Sequence, residues 1–253
     1  MTAVQGVFAR GGLIAGTSAG CNVQGTTTYG DGTSYGYLKA NHLIPKLISD
    51  VNTADPNNSA NGGTVKGLGF LSAYGALADS HFMARGRFAR PLVAMRDTGL
   101  SFAIGVDEDT GFLLSGTTGT VYGAGGVTVF DATTAQYGTG TWFSATGVLV
   151  SYLTTGDRFD FSTRIMLPAA GKTLLTGTGK VYASTNIFGA GEAAQVMTTL
   201  AQAKVLTTTG VSTETAPRFT VTFTKTAGIT KTYYDAKTRK VAVDRMVVGV
   251  TGQ

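Results

Sequence analysis

The stretch Gly11-Gly12-Leu13-Ile14-Ala15-Gly16-Thr17-Ser18-Ala19-Gly20 decides how the first part of the chain is interpreted. Residues 13–15 predict a short buried strand, and residues 16–20 fit the pattern G-x-S-x-G. In that pattern a serine occupies a sharp strand-to-helix turn, where flanking side chains would clash. The turn presents the Ser18 hydroxyl, and the next backbone N–H, that of Ala19, can stabilise an oxyanion. Because the chain has 36 glycines, an ordinary glycine-rich turn is the alternative interpretation.

The composition indicates a chain that can bury a sizeable core but carries few charges. The 253 residues are 43% hydrophobic and 14% charged, with a formal net charge of +5. A chain of this length forms one large domain or a domain with a smaller module. Because proteins usually have about a quarter charged residues, the polar surface must be rich in Ser, Thr, Asn and Gly. This bias favours an extracellular or periplasmic protein, with the cytoplasm as the alternative.

The sequence excludes several classes of partner and cofactor. No run of basic residues resembles a nucleic-acid-binding arm, and no stretch approaches the roughly 18 apolar residues of a membrane span. We therefore expect neither nucleic acid nor a membrane as a partner. Cys21 is the single cysteine, and His42 and His81 are the two histidines. They cannot form an internal disulfide or a metal cluster, so no cofactor is predicted.

Hydrophobic periodicity predicts an α/β first part and a β-rich second part. Residues 24–65 read as a long irregular excursion. The predicted helices lie at 2–10, about 40–51, 83–95 and 192–204, and the predicted strands at 64–73, 101–106, 111–115, 119–122, 126–130 and 147–152, with a hairpin beyond 218. We therefore divide the chain into a core, residues 1–170, and a β-rich extension, residues 171–253.

The small number of histidines limits the search for a base that could activate Ser18. A serine nucleophile needs a base within hydrogen-bond reach, and that base needs an acid to orient it. His81 lies between a predicted strand and a predicted helix, where active-site residues gather in α/β folds, whereas His42 is interpreted as a helix-end or surface residue. The pattern leaves four candidates for the acid, which are Asp79, Asp107, Glu108 and Asp109.

Three arginines follow His81 closely, at Arg85, Arg87 and Arg90. A solvated helix face is the simplest explanation for them. In a chain with so few charges, however, arginines beside a candidate catalytic histidine indicate a site for carboxylates, which arginine binds in a bidentate manner. The sequence therefore predicts a substrate with carboxylates near the scissile bond.

Five segments in this order resemble one known family. They are residues 12–20, 67–71, 79–90, 104–110 and 148–160. Their combination is similar to the cyanophycinase-like serine peptidases (peptidase family S51), which also include aspartyl dipeptidase. The resemblance covers roughly residues 4–165. It implies the second half of a flavodoxin-like, class I glutamine-amidotransferase-like three-layer sandwich.

The resemblance also implies an activity and a set of site residues. The family hydrolyses cyanophycin, an arginine-substituted poly-aspartate, as an exopeptidase that releases β-Asp-Arg dipeptides. By motif position, Ser18 is the expected nucleophile, His81 the base, Glu108 the acid and Ala19 the oxyanion donor. The residues expected to bind substrate are Asp79, Ser80, Arg85, Arg87 and Arg90.

The sequence departs from the family pattern in two places. Ser80 stands where the family usually has a substrate-contacting glutamine, and family members carry an α/β half before the nucleophile strand. The expected partners are therefore a peptide or cyanophycin-like substrate, a second chain that carries the N-terminal half, and a second copy in a homodimer. The alternatives are an aspartyl dipeptidase-like peptidase and a non-catalytic β-rich surface or interaction protein.

Overall fold

The computed structural model describes residues 2–42, 44–45 and 63–253, and shows a mixed α/β fold, as the sequence predicts. The helices are α1 (Thr2–Ala9), α2 (Ala19–Asn22), α3 (Ser34–Ala40), α4 (Arg90–Thr98) and α5 (Glu192–Gln202), with a 3₁₀ turn at Ser72–Tyr74. The strands are β1 (Thr27–Asp31), β2 (Ile44–Pro45), β3 (Gly63–Lys66), β4 (Ala76–Ser80), β5 (Phe102–Val106), β6 (Thr110–Ser115), β7 (Thr118–Gly123), β8 (Gly126–Asp131), β9 (Gln136–Tyr137), β10 (Ala145–Thr154), β11 (Arg158–Asp160), β12 (Ile165–Leu167), β13 (Thr173–Leu174), β14 (Thr207–Val211), β15 (Phe219–Thr224), β16 (Lys231–Asp235) and β17 (Lys240–Gly252).

A ten-stranded sheet forms the centre of the fold. Its main path runs β13-β16-β17-β10-β8-β5-β4, while β14 and β15 branch from β17 and β9 pairs with β10. Within this sheet β4 and β5 are parallel, and the other pairings are antiparallel. Because β17 pairs with β10, the boundary expected at residue 170 lies between strands of one continuous sheet.

Both faces of the central sheet are buried, which explains why β5 reads as a nearly continuous apolar run. Successive side chains of β4 point to opposite faces: Leu77 packs in the cluster that contains Leu92 of α4, whereas Ala76 and Ala78 pack in a second cluster. The second cluster also holds Phe159 of β11, in the four-stranded sheet β12-β11-β7-β6. Helices α3, α4 and α5 thus cover one face of the large sheet, and the small sheet covers the other.

The structure differs from several local predictions. The strand predicted at 64–73 ends at Lys66, and the chain then turns through Gly69, which has a φ of +80°. The sequence did not predict β4, nor β1 and α3 within the stretch interpreted as irregular. Residues 13–15 are not in a strand, and Leu13 is 73% exposed. The helix predicted at 83–95 begins only at Arg90, because Gly86 has a φ of +59° and a Cβ there would lie 1.8 Å from the Phe188 carbonyl oxygen. Of the helix predicted at about 40–51, the structure has Ile44–Pro45 as a short strand, and residues 43 and 46–51 lie outside the described residues.

Candidate active site

The G-x-S-x-G segment forms a sharp turn into a helix. Ser18 has φ 51° and ψ −122°, a conformation that a non-glycine residue adopts at a cost of about 1–3 kcal/mol. Helix α2 starts at the next residue, Ala19, so the Ala19 N–H directly follows the hydroxyl. A Cβ on Gly16 would lie 2.1 Å from the Gly20 carbonyl oxygen, which explains why glycine is needed there. The turn has the backbone shape of a nucleophile elbow.

His81 lies where β4 ends and faces the serine. Its Nε2 is 3.0 Å from the Ser18 Oγ, although 63 positions separate the two residues in the chain. His81 also has a positive φ, 50°. The two residues whose side chains meet here therefore both have strained backbones, a feature that is concentrated at functional sites.

Glu108 completes a chain of three side chains. It follows β5, the parallel neighbour of β4, and its Oε1 is 2.8 Å from the His81 Nδ1. An ionised carboxylate can only accept hydrogen bonds, so Nδ1 donates to it, and Nε2 of the neutral ring is left to accept the Ser18 proton. The structure thus brings together Ser18, His81 and Glu108 in the order that nucleophilic catalysis requires.

Asp107 and Asp109, which the residue pattern left open as acids, have other surroundings. The Met83 N–H donates to the Asp107 Oδ1 at 3.0 Å, and the Tyr152 hydroxyl donates to its Oδ2 at 3.3 Å. Burial raises the pKa of Asp107, and these hydrogen bonds partly offset the effect. Asp109 lies in a turn with φ 50°. Asp107 therefore fastens the backbone just after His81 to the end of β5.

Asp79 and Arg90, both predicted to bind substrate, pair with each other inside the protein. Their side chains are 1% and 2% exposed, and the Arg90 Nε and Nη2 donate to the two Asp79 carboxylate oxygens at 2.6 Å each. The Arg90 Nη1 also donates to the Gly32 carbonyl at 2.8 Å. A buried bidentate pair has no face left for a substrate, so the substrate-binding prediction is corrected for both residues.

The remaining residues predicted to bind substrate are spread between the interior and the surface. The Arg87 Nη1 donates to the Ser80 carbonyl at 2.7 Å and to Asp79 Oδ1 at 3.1 Å, so its guanidinium fixes the residue that precedes His81. The Ser80 side chain is buried, but Ser80 lines the cavity described next. Arg85 is exposed and does not line that cavity.

A cavity of about 850 Å³ opens beside the three side chains, and Ser18, His81 and Glu108 all line it. Its wall is largely apolar and includes parts of α1, β6 and β7, which the sequence analysis did not connect with the site. Leu113 of β6 and Tyr122 of β7 are large apolar side chains that the structure leaves exposed, and the sequence alone gives no signal that places them at this site.

Other side chains near the site take no part in this chain of contacts. His42 is exposed and follows α3. Burial and the negative charge of Asp79 raise the pKa of Cys21 to about 11, which keeps this thiol protonated near neutral pH. Among the described residues, no group of three His, Cys, Asp or Glu side chains could hold a metal ion, and no helix is long and apolar enough to cross a membrane. No protein-family model matches the chain.

Proposed function

We propose that the protein is a serine hydrolase, and specifically a peptidase with the catalytic chemistry of the cyanophycinase-like family. The observation that carries the proposal is the chain of contacts from Ser18 Oγ to His81 Nε2, 3.0 Å, and from His81 Nδ1 to Glu108 Oε1, 2.8 Å. The strained backbone of Ser18 and the close approach of Gly16 to Gly20 add support. They are the features that expose a serine hydroxyl at a sharp turn.

The proposed reaction is acyl transfer in two steps. The Ser18 oxygen attacks the scissile carbonyl carbon while its proton moves to His81 Nε2, and the Ala19 N–H stabilises the oxyanion. The C–N bond then breaks, and His81 returns the proton to the leaving amine. A water molecule attacks the resulting ester, again giving a proton to His81, and the new carboxylic acid leaves as Ser18 recovers its proton. Glu108 holds the ring throughout.

The resemblance also suggests a finer fold and a substrate to test. The parallel pair β4 and β5, with α4 between them in the chain, supports a flavodoxin-like, class I glutamine-amidotransferase-like origin for this part of the sheet. Cyanophycin and aspartyl dipeptides are the substrates that the resemblance suggests. The arginines lend them limited support, because only Arg85 keeps an exposed side chain with no carboxylate partner among the described contacts.

Covalent labelling with an alkyl fluorophosphonate tests the reaction class. Ser18 attacks phosphorus, fluoride leaves, and the protein gains one alkylphosphonyl group, which peptide mass spectrometry locates. We expect labelling of Ser18, none in Ser18→Ala, and slow labelling in His81→Ala. Ser72→Ala is the matched control, since Ser72 is an exposed serine outside the cavity, and it should label as the unmodified protein does.

Release of amines from cyanophycin and from aspartyl dipeptides tests the substrate separately. Labelling of Ser18 without turnover of either would retain the reaction class and reject these substrates. A folded protein that the fluorophosphonate does not label would refute the serine hydrolase itself.

A further inference from the structure

The cavity beside Ser18 has the size and position of a substrate site. Its volume of about 850 Å³ lies in the usual range for small-molecule sites, roughly 300–1,000 Å³. The acyl part of any substrate becomes bonded to the Ser18 oxygen, so it must occupy space that Ser18 lines. The side chain next to the scissile carbonyl therefore enters this cavity.

The walls of the cavity are aromatic and aliphatic. Phe8 and Phe70 are in ring contact, with centroids 4.9 Å apart, and both line it. Leu113 of β6 and Tyr122 of β7 also line it. The register pairs Gly111 with Tyr122, so Leu113 and Tyr122 lie diagonally on one face of the hairpin. They are 44% and 56% exposed. Exposed apolar groups clustered around a reactive hydroxyl, rather than scattered singly, mark a binding surface.

The charges around the cavity oppose an acidic substrate. The described residues that line the cavity include no lysine or arginine. They do include three acidic residues, Asp107, Glu108 and Asp109. A substrate carboxylate would lose its hydration and meet like charges, and both effects disfavour it. Glu108 already accepts a hydrogen bond from His81, and Asp107 accepts from Met83 and Tyr152, so both carboxylates have part of their accepting capacity in use within the protein.

We propose that this cavity binds an aromatic or long aliphatic side chain on the residue that supplies the scissile carbonyl, so that the enzyme prefers apolar over acidic acyl groups. The proposal rests on the proposed function, since it takes Ser18 as the nucleophile. It differs from the preference that the arginines suggested in the sequence, because none of Arg85, Arg87 and Arg90 lines the cavity.

Three p-nitrophenyl esters test the proposal, with 3-phenylpropanoyl, succinyl and 4-aminobutyryl acyl groups. Burial of the aromatic group should raise kcat/KM for the first ester over the other two on the order of 10- to 100-fold. Equal rates, or a preference for either charged ester, would overturn the proposal.

Leu113→Arg places a cation on the cavity wall, and a charge-assisted hydrogen bond to the succinyl carboxylate should shift the preference toward that ester by at least about tenfold. Leu206→Arg is the matched control, because Leu206 is 63% exposed and does not line the cavity, and it should leave the preference unchanged. If Leu113→Arg does not fold, Tyr122→Arg is used with the same expectation. A folded cavity variant whose ester preference matches that of the unmodified protein contradicts the proposal.

Fluorophosphonate labelling in the same samples keeps the two proposals apart. If Ser18 of the folded, unmodified protein is not labelled, Ser18 is not the nucleophile, and the proposed specificity site is refuted with it. Intact Ser18 labelling together with no preference for the apolar ester would refute the apolar specificity alone.

Discussion

Replacement of Asp79 by alanine should destabilise the fold strongly, although Asp79 has no contact with Ser18, His81 or Glu108. Asp79 neutralises Arg90, which is 2% exposed, and accepts two hydrogen bonds from it. It also accepts from Arg87, from the Ser80 N–H at 2.8 Å and from Asn22 at 3.3 Å. The variant therefore removes the carboxylate from a buried charge network.

Removing one member of a buried ion pair typically costs about 3–5 kcal/mol of unfolding free energy. For a chain of this size each kcal/mol lowers the melting temperature by roughly 2–4 °C, so Asp79→Ala should melt on the order of 6–20 °C lower. Arg90→Lys should also destabilise the protein, since a lysine cannot make the two-pronged contact.

Urea unfolding followed by circular dichroism measures these changes, with Arg85→Ala as the control. Arg85 is exposed, so its variant should stay within about 0.5 kcal/mol of the unmodified protein. A free-energy loss below about 1 kcal/mol for Asp79→Ala would refute the buried-network assignment. In that case the earlier prediction of Asp79 and Arg90 as substrate ligands would deserve a second test by substrate titration.

Three further predictions concern the reactive turn and its partners. Glu108→Gln should lower kcat on an activated ester by on the order of 10²–10⁴-fold with little change in melting temperature, because the amide can hold His81 in the wrong tautomer; an unchanged kcat would contradict the role of Glu108. Gly16→Ala should abolish Ser18 labelling, since its Cβ would lie 2.1 Å from the Gly20 carbonyl oxygen; a fully labelled variant would disprove this close approach. Because the pKa of Cys21 is raised from 9.0 to about 11, the folded state holds its thiol proton more tightly than the unfolded state, so stability should fall as the pH rises from 9 to 11. Cys21→Ala should reduce that fall in urea unfolding, and an equal fall in both proteins would rule out Cys21 as its cause.

The sequence predicted the elements that carry the site better than the environment of each side chain. The chain has two G-x-S-x-G segments, residues 16–20 and 32–36, and two histidines, so this pattern alone does not single out Ser18. The structure distinguishes the two serines, because Ser34 is buried and its Oγ donates to the Gly86 carbonyl, whereas the Ser18 Oγ lies 3.0 Å from His81 Nε2. The apolar run of β5 was predicted as a strand, whereas a strand at the position of β4 was not. His81 and Glu108 meet because β4 and β5 are parallel neighbours, whose ends lie at the same edge of the sheet. The choice of Glu108 among four carboxylates required the family resemblance.

The burial of the three arginines that follow His81 could not be predicted from the local sequence pattern. Arg85, Arg87 and Arg90 look alike in the sequence, yet Arg90 is buried and Arg85 is exposed. The difference arises from Asp79, whose side chain lies inside at the end of β4 and can accept both prongs of one guanidinium. Asp79 and Arg90 are 11 positions apart and lie on different elements, β4 and α4. Sequence spacing alone does not specify that these two residues pair.

The buried charges and the contacts among Ser18, His81 and Glu108 are parts of one arrangement at the end of β4. Asp79 and Arg87 hold Ser80 from one side, and Asp107 holds Met83 from the other. His81 lies between these two anchors with a positive φ, a conformation that persists only where the surroundings over-determine it. Arg87 and Arg90 thus help to fix the backbone that carries the proposed base, and neither of them is among the described residues that line the cavity at Ser18.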